Sequence, residues 1–303
     1  MSLRTLRGSV LLLLAAVVCG CQAGAQLPAL PELPAWQSPQ GREDARLGQI
    51  QDLRTGQLLS PAQLVERLAA ATRVLVGEQH DNPDHHALQL WLLRALEQRR
   101  PQGSVLLEML EPAQQGRVDT VKAHTALPAD LQQALGWPAG WDWNLYGPIV
   151  RHALAQPYPL LAANLDRSEV REIYRQKPTL EGPRSTAQGV TAALLEQVRE
   201  GHCGLLPESQ MPAMLAVQQQ RDRRIAQQLM QAPAPAMLLA GAYHVRKDMG
   251  VPLHLEDLGA ASGTEVVMLA QVGAAVEPGM ADFVWFTAAL VKRDYCADLR
   301  KGE

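Results

Sequence analysis

The sequence predicts an α/β fold: a mixed, mainly parallel central sheet with helices on both faces, plus a helical insertion. Short β-branched or leucine-rich runs recur along the chain at 73–76, 105–107, 159–163, 236–240 and 266–269. Each is too short for a helix and lacks polar alternation, as strands buried on both faces do. Longer segments with helix-start signals separate them, and such alternation is the pattern of βαβ units.

At the N-terminus, Arg4 and Arg7 precede an apolar run at 10–18 that ends in Val18-Cys19-Gly20-Cys21. The run is shorter than the ~20 residues a membrane-crossing helix needs. A basic start, a short apolar stretch and a small residue before a cysteine are the layout of an export signal. Residues 1–20 are therefore expected to be that signal, with Cys21 the lipidated residue. Cys21 is preferred to Cys19 because Gly20 precedes it, whereas the bulkier Val18 precedes Cys19. Several acyl chains on one cysteine anchor stably where a single chain is marginal. Residues 21–42 are expected to form a Pro-rich tether, since the spaced Pro28, Pro31 and Pro34 disfavour a helix and favour an extended spacer. A single domain is then expected over 43–303.

Within that domain, Ser60 followed by Pro61 and Gln63 marks a helix start. The hydroxyl caps free N–H groups, proline suits the first turn and Gln63 completes a capping box, giving a helix over about 61–71. Asn82-Pro83 opens a second, over about 83–99, with Leu88, Leu92, Leu93 and Leu96 on one face. A third, over about 211–231, turns Met214, Val217, Ile225 and Leu229 inward and carries Arg221, Arg223 and Arg224 near its middle. The stretch 178–200 reads as helical beyond Pro183 and is the expected insertion.

No second long apolar span follows the signal, and removing 20 residues leaves 283. Loss of Arg4 and Arg7 moves the net charge from −3 to −5. With no Lys/Arg-rich stripe, nucleic-acid binding is not expected. Cys203 and Cys296 are the cysteines left after Cys21. An exported chain meets an oxidising compartment, so they are expected to pair, with two buried free thiols as the alternative.

Polar residues unsuited to strands follow the apolar runs directly. Gly77-Glu78-Gln79-His80-Asp81-Asn82 follows Val76, Glu108 follows Leu107, Asn164 follows Ala163, and Gly241-Ala242-Tyr243-His244 follows Ala240. In a parallel sheet these points share the edge formed by the carboxyl ends of the strands, where ligands of open α/β folds bind. Gly77-x-x-His80 and Gly241-x-x-His244 echo each other: a glycine leaves the strand and an imidazole follows three residues later. Glycine there allows either a positive φ or a close backbone approach.

These residues resemble the ChaN family of haem-binding lipoproteins, within the superfamily that includes Tiki, TraB and erythromycin-esterase-like proteins. The resemblance is carried by the segment 76–86 (VGEQHDNPDHH), Leu107-Glu108-Met109, Trp141-x-Trp143-x-x-Tyr146, Ala163-Asn164, His202-Cys203-Gly204, Gln219-x-Arg221-Asp222, Gly241-x-x-His244-Val245-Arg246 and Asp282-Phe283-Val284-Trp285. It implies a membrane-attached protein of iron acquisition that binds haem, as a dimer with haems stacked across the interface. It further implies a tyrosine ligand to iron, histidine at the propionates, and a haem receptor or transporter as partner.

Among the tyrosines, Tyr146 is the first choice of ligand because Trp137, Trp141 and Trp143 precede it and can form an aromatic wall; equally, those rings can simply pack the loop. Tyr243, inside the second G-x-x-H loop, is the second choice. Arg246, His80, His85 and His86 are the candidate propionate partners, through charge-assisted hydrogen bonds, although His85 and His86 at a helix start are expected to face solvent in part, and His244 is a further candidate haem-binding residue. The rival reading is a hydrolase in which Glu78, His80, Glu108 and His244 hold a divalent metal such as zinc or manganese. Against it, no H-E-x-x-H pair is present. Glu78 or Glu108 could also act with His80 as an acid/base pair without a metal, and a passive envelope scaffold is the blandest reading of the chain. Gln22 after Cys21 is not the aspartate that commonly retains lipoproteins at the inner membrane, so attachment to the outer membrane, facing the periplasm, is expected.

Overall fold

A computed structural model of the protein describes residues 28–301. The export signal, Cys21 and the first part of the tether lie outside the described residues. The sheet comprises β1 (Ile50–Asp52), β2 (Leu58–Leu59), β3 (Arg73–Glu78), β4 (Ser104–Leu107), β5 (Leu160–Ala162), β6 (Ala236–Gly241), β7 (Thr264–Gln271) and β8 (Phe283–Thr287). Their order is β2-β1-β8-β7-β3-β6-β4-β5. All pairings from β8 to β5 are parallel, and β1 pairs antiparallel with both β2 and β8. The five runs expected to be strands are strands. β1 and β2 are not legible in the sequence because three and two residues are too few to show a period. β8 was not expected as a strand, although its residues carry part of the resemblance.

The helices are α1 (Pro61–Ala69), α2 (Pro83–Glu97), α3 (Gln115–Ala123), α4 (Leu131–Leu135), α5 (Trp143–Ala155), α6 (Arg167–Gln176), α7 (Gln188–Gly201), α8 (Met211–Gln231), α9 (Ala242–Val245), α10 (Val251–Asp257) and α11 (Tyr295–Lys301). The start of α1 is as expected: Ser60 Oγ accepts from Gln63 N–H while the Gln63 side chain accepts from Ser60 N–H.

Alternation along the strands divides the apolar residues between two cores. Val74, Val76, Met237 and Leu239 point to the face covered by α1, α2 and α5, and Leu75, Leu238 and Ala240 to the face covered by α8 and α10. Leu88, Leu92, Leu93 and Leu96 of α2 are buried, each contributing roughly 1.5–3 kcal/mol by burial. Val217, Ile225 and Leu229 of α8 are buried as expected, while Met214 is half-buried. The expected insertion corresponds to α7, which packs on α8 and buries Leu194 and Val198; α6, before it, also packs on α8 and buries no residue.

Two expectations need correction. Residues 28–40 are not a free spacer, because the carbonyls of their extended backbone are taken up by the domain. Pro31 O accepts from Trp91 Nε1 at 2.9 Å, Pro28 O accepts from Arg99, and Asp84 accepts from the N–H groups of Gln37 and Ser38. The described part of the tether therefore lies against the domain instead of standing off from it. Nor do His85 and His86 face solvent; both are buried. Cys203 and Cys296 do pair, with their Cα atoms 5.4 Å apart across 93 residues of chain. Among the described residues no helix is long and apolar enough to cross a membrane.

Candidate functional site

The loops at the carboxyl ends of β3, β4, β5 and β6 meet as expected, because the strands are parallel and adjacent in register. Glu78 lies opposite Gly241. Gly241 N–H donates to Glu108 Oε2 at 2.8 Å, and Asn164 Nδ2 donates to the Glu108 carbonyl at 2.8 Å. The two glycines are required for close approach. A Cβ on Gly241 would lie 2.7 Å from His80 Cε1, and one on Gly77 would lie 2.4 Å from Val245 Cγ2. Gly241 itself has φ −59°, so a positive φ plays no part there.

Glu78 is the hub of the first loop. Its buried Oε1 accepts from Tyr146 Oη at 2.6 Å and lies 2.9 Å from His80 Nδ1. His86 Nδ1 stands 3.0 Å from Oε2, but off a hydrogen-bonding line, because its Nε2 is directed to the His80 carbonyl at 3.0 Å. Burial alone would raise the Glu78 pKa; the His80 hydrogen bond, with the His86 imidazole close to the other oxygen, instead lowers it to about 2. His80 is raised: burial opposes its charge, and the Glu78 hydrogen bond with the Glu108 and Glu78 charges outweighs that. Its side chain keeps 44% exposure, so it is the imidazole of this loop that a ligand can meet.

The second loop holds a buried ion triad. His244 Nδ1 contacts Asp222 Oδ1 at 2.5 Å and its Nε2 contacts Glu108 Oε1 at 3.2 Å. Burial disfavours the imidazolium, but with a carboxylate at each nitrogen its pKa rises to about 10. Glu108 is pushed the other way, well below the carboxylate range: burial resists ionisation, and His244, His80 and Arg221 overcome it. Asp222 is a site residue that sequence reasoning missed. Gln218, Arg221 and Asp222 fall at i, i+3 and i+4 on α8, one helix face, and that spacing is the signal available.

A cavity of about 940 Å³ opens above these groups. Its polar floor includes Glu78, His80, Glu108, Asn164, Arg221 and His244, and its far wall is apolar, with Met268, Ala270, Val272, Ala274, Val276 and Met280. This wall, built by β7 and the turn after it, is not recognisable in the sequence as part of a site because its residues look like ordinary core. Tyr243 stands in the cavity lining, 46% exposed, with the Arg246 guanidinium 5.9 Å from its ring centroid and itself held by Asp248.

Two other expected site residues, Tyr146 and His85, are buried. Tyr146 is 1% exposed, and burial with the Glu78 charge pushes its phenol far above the usual range, so its proton is committed inside the protein. Trp137, Trp141 and Trp143 pack around it: Trp137 and Trp143 meet at 5.1 Å, and Trp141 stands edge-on to His80 at 4.8 Å. Of these rings only Trp141 reaches the cavity lining. His85 is fully engaged, its Nδ1 accepting from Gln79 N–H at 2.8 Å and its Nε2 lying 2.9 Å from Thr287 Oγ1. It borders the cavity and sets the path of the first loop. Among the described residues no group of three or more His, Cys, Asp or Glu side chains is disposed to hold a metal ion. The carboxylates and imidazoles are turned toward each other, in pairs, so the zinc or manganese arrangement is not supported.

The chain is thus a mainly parallel α/β protein carrying paired G-x-x-H loops over one strand-end cavity. The family profile described as "Haem-binding uptake, Tiki superfamily, ChaN" matches residues 64–255, and the chain belongs to that family. A solved structure titled "Cofacial heme binding to ChaN of Campylobacter jejuni" is similar at 30% identity and a TM-score of 0.73, covering 78% of this chain and 95% of that one. An erythromycin esterase mutant in its open conformation aligns at 13% identity and a TM-score of 0.43, over 83% and 85% of the two chains. A toxin effector domain from Vibrio vulnificus aligns at 13% and 0.42, over 78% and 39%. No curated protein matches the chain in sequence.

Proposed function

We propose that this protein is an outer-membrane lipoprotein of haem uptake, anchored through Cys21 and facing the periplasm, which binds ferric haem in the strand-end cavity through Tyr243. The observation that carries the reading is a half-exposed phenol lining a cavity with apolar residues on one side and, on the other, the imidazoles of His80 and His244 and the guanidinium of Arg221 beside two carboxylates. Haem asks for those three things: a flat apolar surface, an axial oxygen or nitrogen donor, and partners for two propionates. Bound haem would supply a ferric centre that accepts a phenolate.

The chain's own groups divide the work. Met268, Val276 and Met280 offer the apolar face. Tyr243 is favoured over Tyr146 as the ligand because Tyr146 is buried and hydrogen-bonded to Glu78. His80, raised toward its charged form, and Arg221 face the cavity as propionate partners. The His244–Glu108–Asp222 triad holds Gly241 and so the start of the Tyr243 loop. Exposure of Tyr243 leaves the outer side of a bound ring open, which fits a haem-dependent dimer in which two copies cover each other's haem, and hand-over to a receptor or transporter.

Titration of the protein with haemin tests the reading. A saturable Soret change with a high-spin ferric spectrum is expected, and a titration that never saturates overturns it.

A further inference from the structure

After β8 the chain does not leave the domain. Ala289 bridges to Gln40, and Leu290 N–H donates to Gln271 Oε1 at 3.1 Å, while Gln271 Nε2 donates to Gln79 Oε1 at 2.6 Å. Tyr295 Oη donates to Asp81, whose other oxygen accepts from Gln79 Nε2 at 2.9 Å. Residues 290–296 are thus a strap clasping the outside of the loop that carries His80. Its next attachment is covalent, at Cys203. Cys203 lies in the turn that ends α7, in the left-handed region at φ 57°, and α7 supplies Gln197 to the cavity lining. The strap therefore ties the two banks of the site: the His80 loop on one side, the insertion on the other.

The two banks differ in how firmly they are held. The His80 loop is fixed by buried Glu78 and His85. Helix α7 has two buried side chains, Leu194 and Val198, and packs on α8. Few buried contacts mark an element that opens locally at low free energy. Beneath the bridge lies a second cavity, about 650 Å³, between Glu200 and Gly201 on one side and Lys292 and Tyr295 on the other, so the disulfide spans a gap here.

We propose that the Cys203–Cys296 disulfide is a redox latch on the cavity: closed when oxidised, and when reduced by a dithiol freeing α7 so that bound haem leaves faster. The haem part of this rests on the function proposed above. In the exchange, one thiol of the dithiol loses its proton and attacks a latch sulfur, forming a mixed disulfide and expelling the other cysteine as a thiolate that takes up a proton. The second thiol of the dithiol then closes on the first and releases the remaining cysteine. The latch gains two electrons and two protons, and the dithiol becomes a cyclic disulfide.

The test uses the full chain without haem and with it. Hydrogen exchange is followed in the wild type, in wild type reduced with dithiothreitol, and in the Cys203→Ser/Cys296→Ser variant. Amides of 188–204 are expected to exchange at least about fivefold faster in both opened forms, with those of 79–82, β3 and β6 unchanged. Haemin release from the variant to excess apoglobin is expected to be about fivefold faster or more than from the wild type. Unchanged exchange in both opened forms overturns the latch. So does loss of protection throughout the sheet, which would make the bridge a staple of the whole fold, and so does local opening with unchanged haemin release. A wild type that binds no haemin removes the proposed function instead, and local exchange still decides whether the bridge restrains α7.

Discussion

Replacing Tyr146 with Phe separates a ligand from a packing residue with the loss of one oxygen. That oxygen donates to the buried Glu78 carboxylate at 2.6 Å, while the ring stands edge-on to His86 at 4.4 Å and Trp141 at 5.9 Å. Phe keeps every ring contact, so what is lost is the charge-assisted hydrogen bond to Glu78, worth ~1.5–3 kcal/mol, together with the longer contact of the hydroxyl with His80 Nδ1 at 3.2 Å. Glu78 retains His80 and His86 beside it, which places the loss near ~2 kcal/mol and not at the larger cost of a stranded buried charge. In a domain of this size each kcal/mol moves Tm by about 2–4 °C, so a fall of about 4–8 °C is expected. Thermal unfolding by circular dichroism measures it, and haemin titration of the same sample is expected to match the wild type. A variant of wild-type stability that has lost the phenolate spectrum would refute the reasoning, because Tyr146 would then reach the iron from a position where the structure buries it.

Three other outcomes follow from the same geometry. Tyr243→Phe is expected to leave Tm within about 1 °C, as surface changes do, and to abolish the phenolate charge-transfer band with a tenfold or greater loss of haemin affinity; an unchanged spectrum assigns the ligand elsewhere. His244→Ala leaves Glu108 and Asp222 buried without their cation and is expected to cost about 3–5 kcal/mol in urea unfolding, whereas less than about 1 kcal/mol would show that the triad is not a real ion network. Stability is also expected to depend on pH at both ends. Glu78 titrates at about 2 in the fold against 4.5 unfolded, so its contribution is present above 4.5 and lost as pH falls toward 2. His85, kept neutral by burial with a pKa near 3, adds a loss that begins as pH falls through 6.5. Each group contributes a slope of about 1.4 kcal/mol per pH unit within its window. His244 works in the opposite sense: its contribution is full below 6.5 and is lost as pH rises toward 10. A stability curve flat between pH 3 and 6 would contradict the first two assignments.

The fold was legible where the chain repeats a period or uses a local signal. The five short apolar runs lack polar alternation because they are buried on both faces, and Ser60-Pro61-x-Gln63 encodes its own cap. The convergence of Glu78, His80, Glu108 and His244 was legible as well, because parallel strands put their carboxyl ends on one edge. What escaped depends on contacts between distant segments. Nothing local distinguishes Tyr146, buried against Glu78 from 68 residues away, from Tyr243 at the cavity mouth. The aromatic cluster at 137–146 advertises a ring-binding surface and proves to be packing around that buried phenol, while the wall of the cavity is made of methionine, alanine and valine that look like core. The Pro-rich segment was expected to be a spacer because its composition disfavours secondary structure. An extended backbone still offers carbonyls, and Trp91 and Arg99 donate to them.

A crystal structure of the haemin-loaded protein tests the central claim most directly. The account predicts iron bound by Tyr243 Oη, the porphyrin lying on the Met268 and Val276 wall, and a propionate within hydrogen-bond reach of His80. Iron held by any other side chain, or haem seated away from the carboxyl ends of β3 and β6, would contradict it.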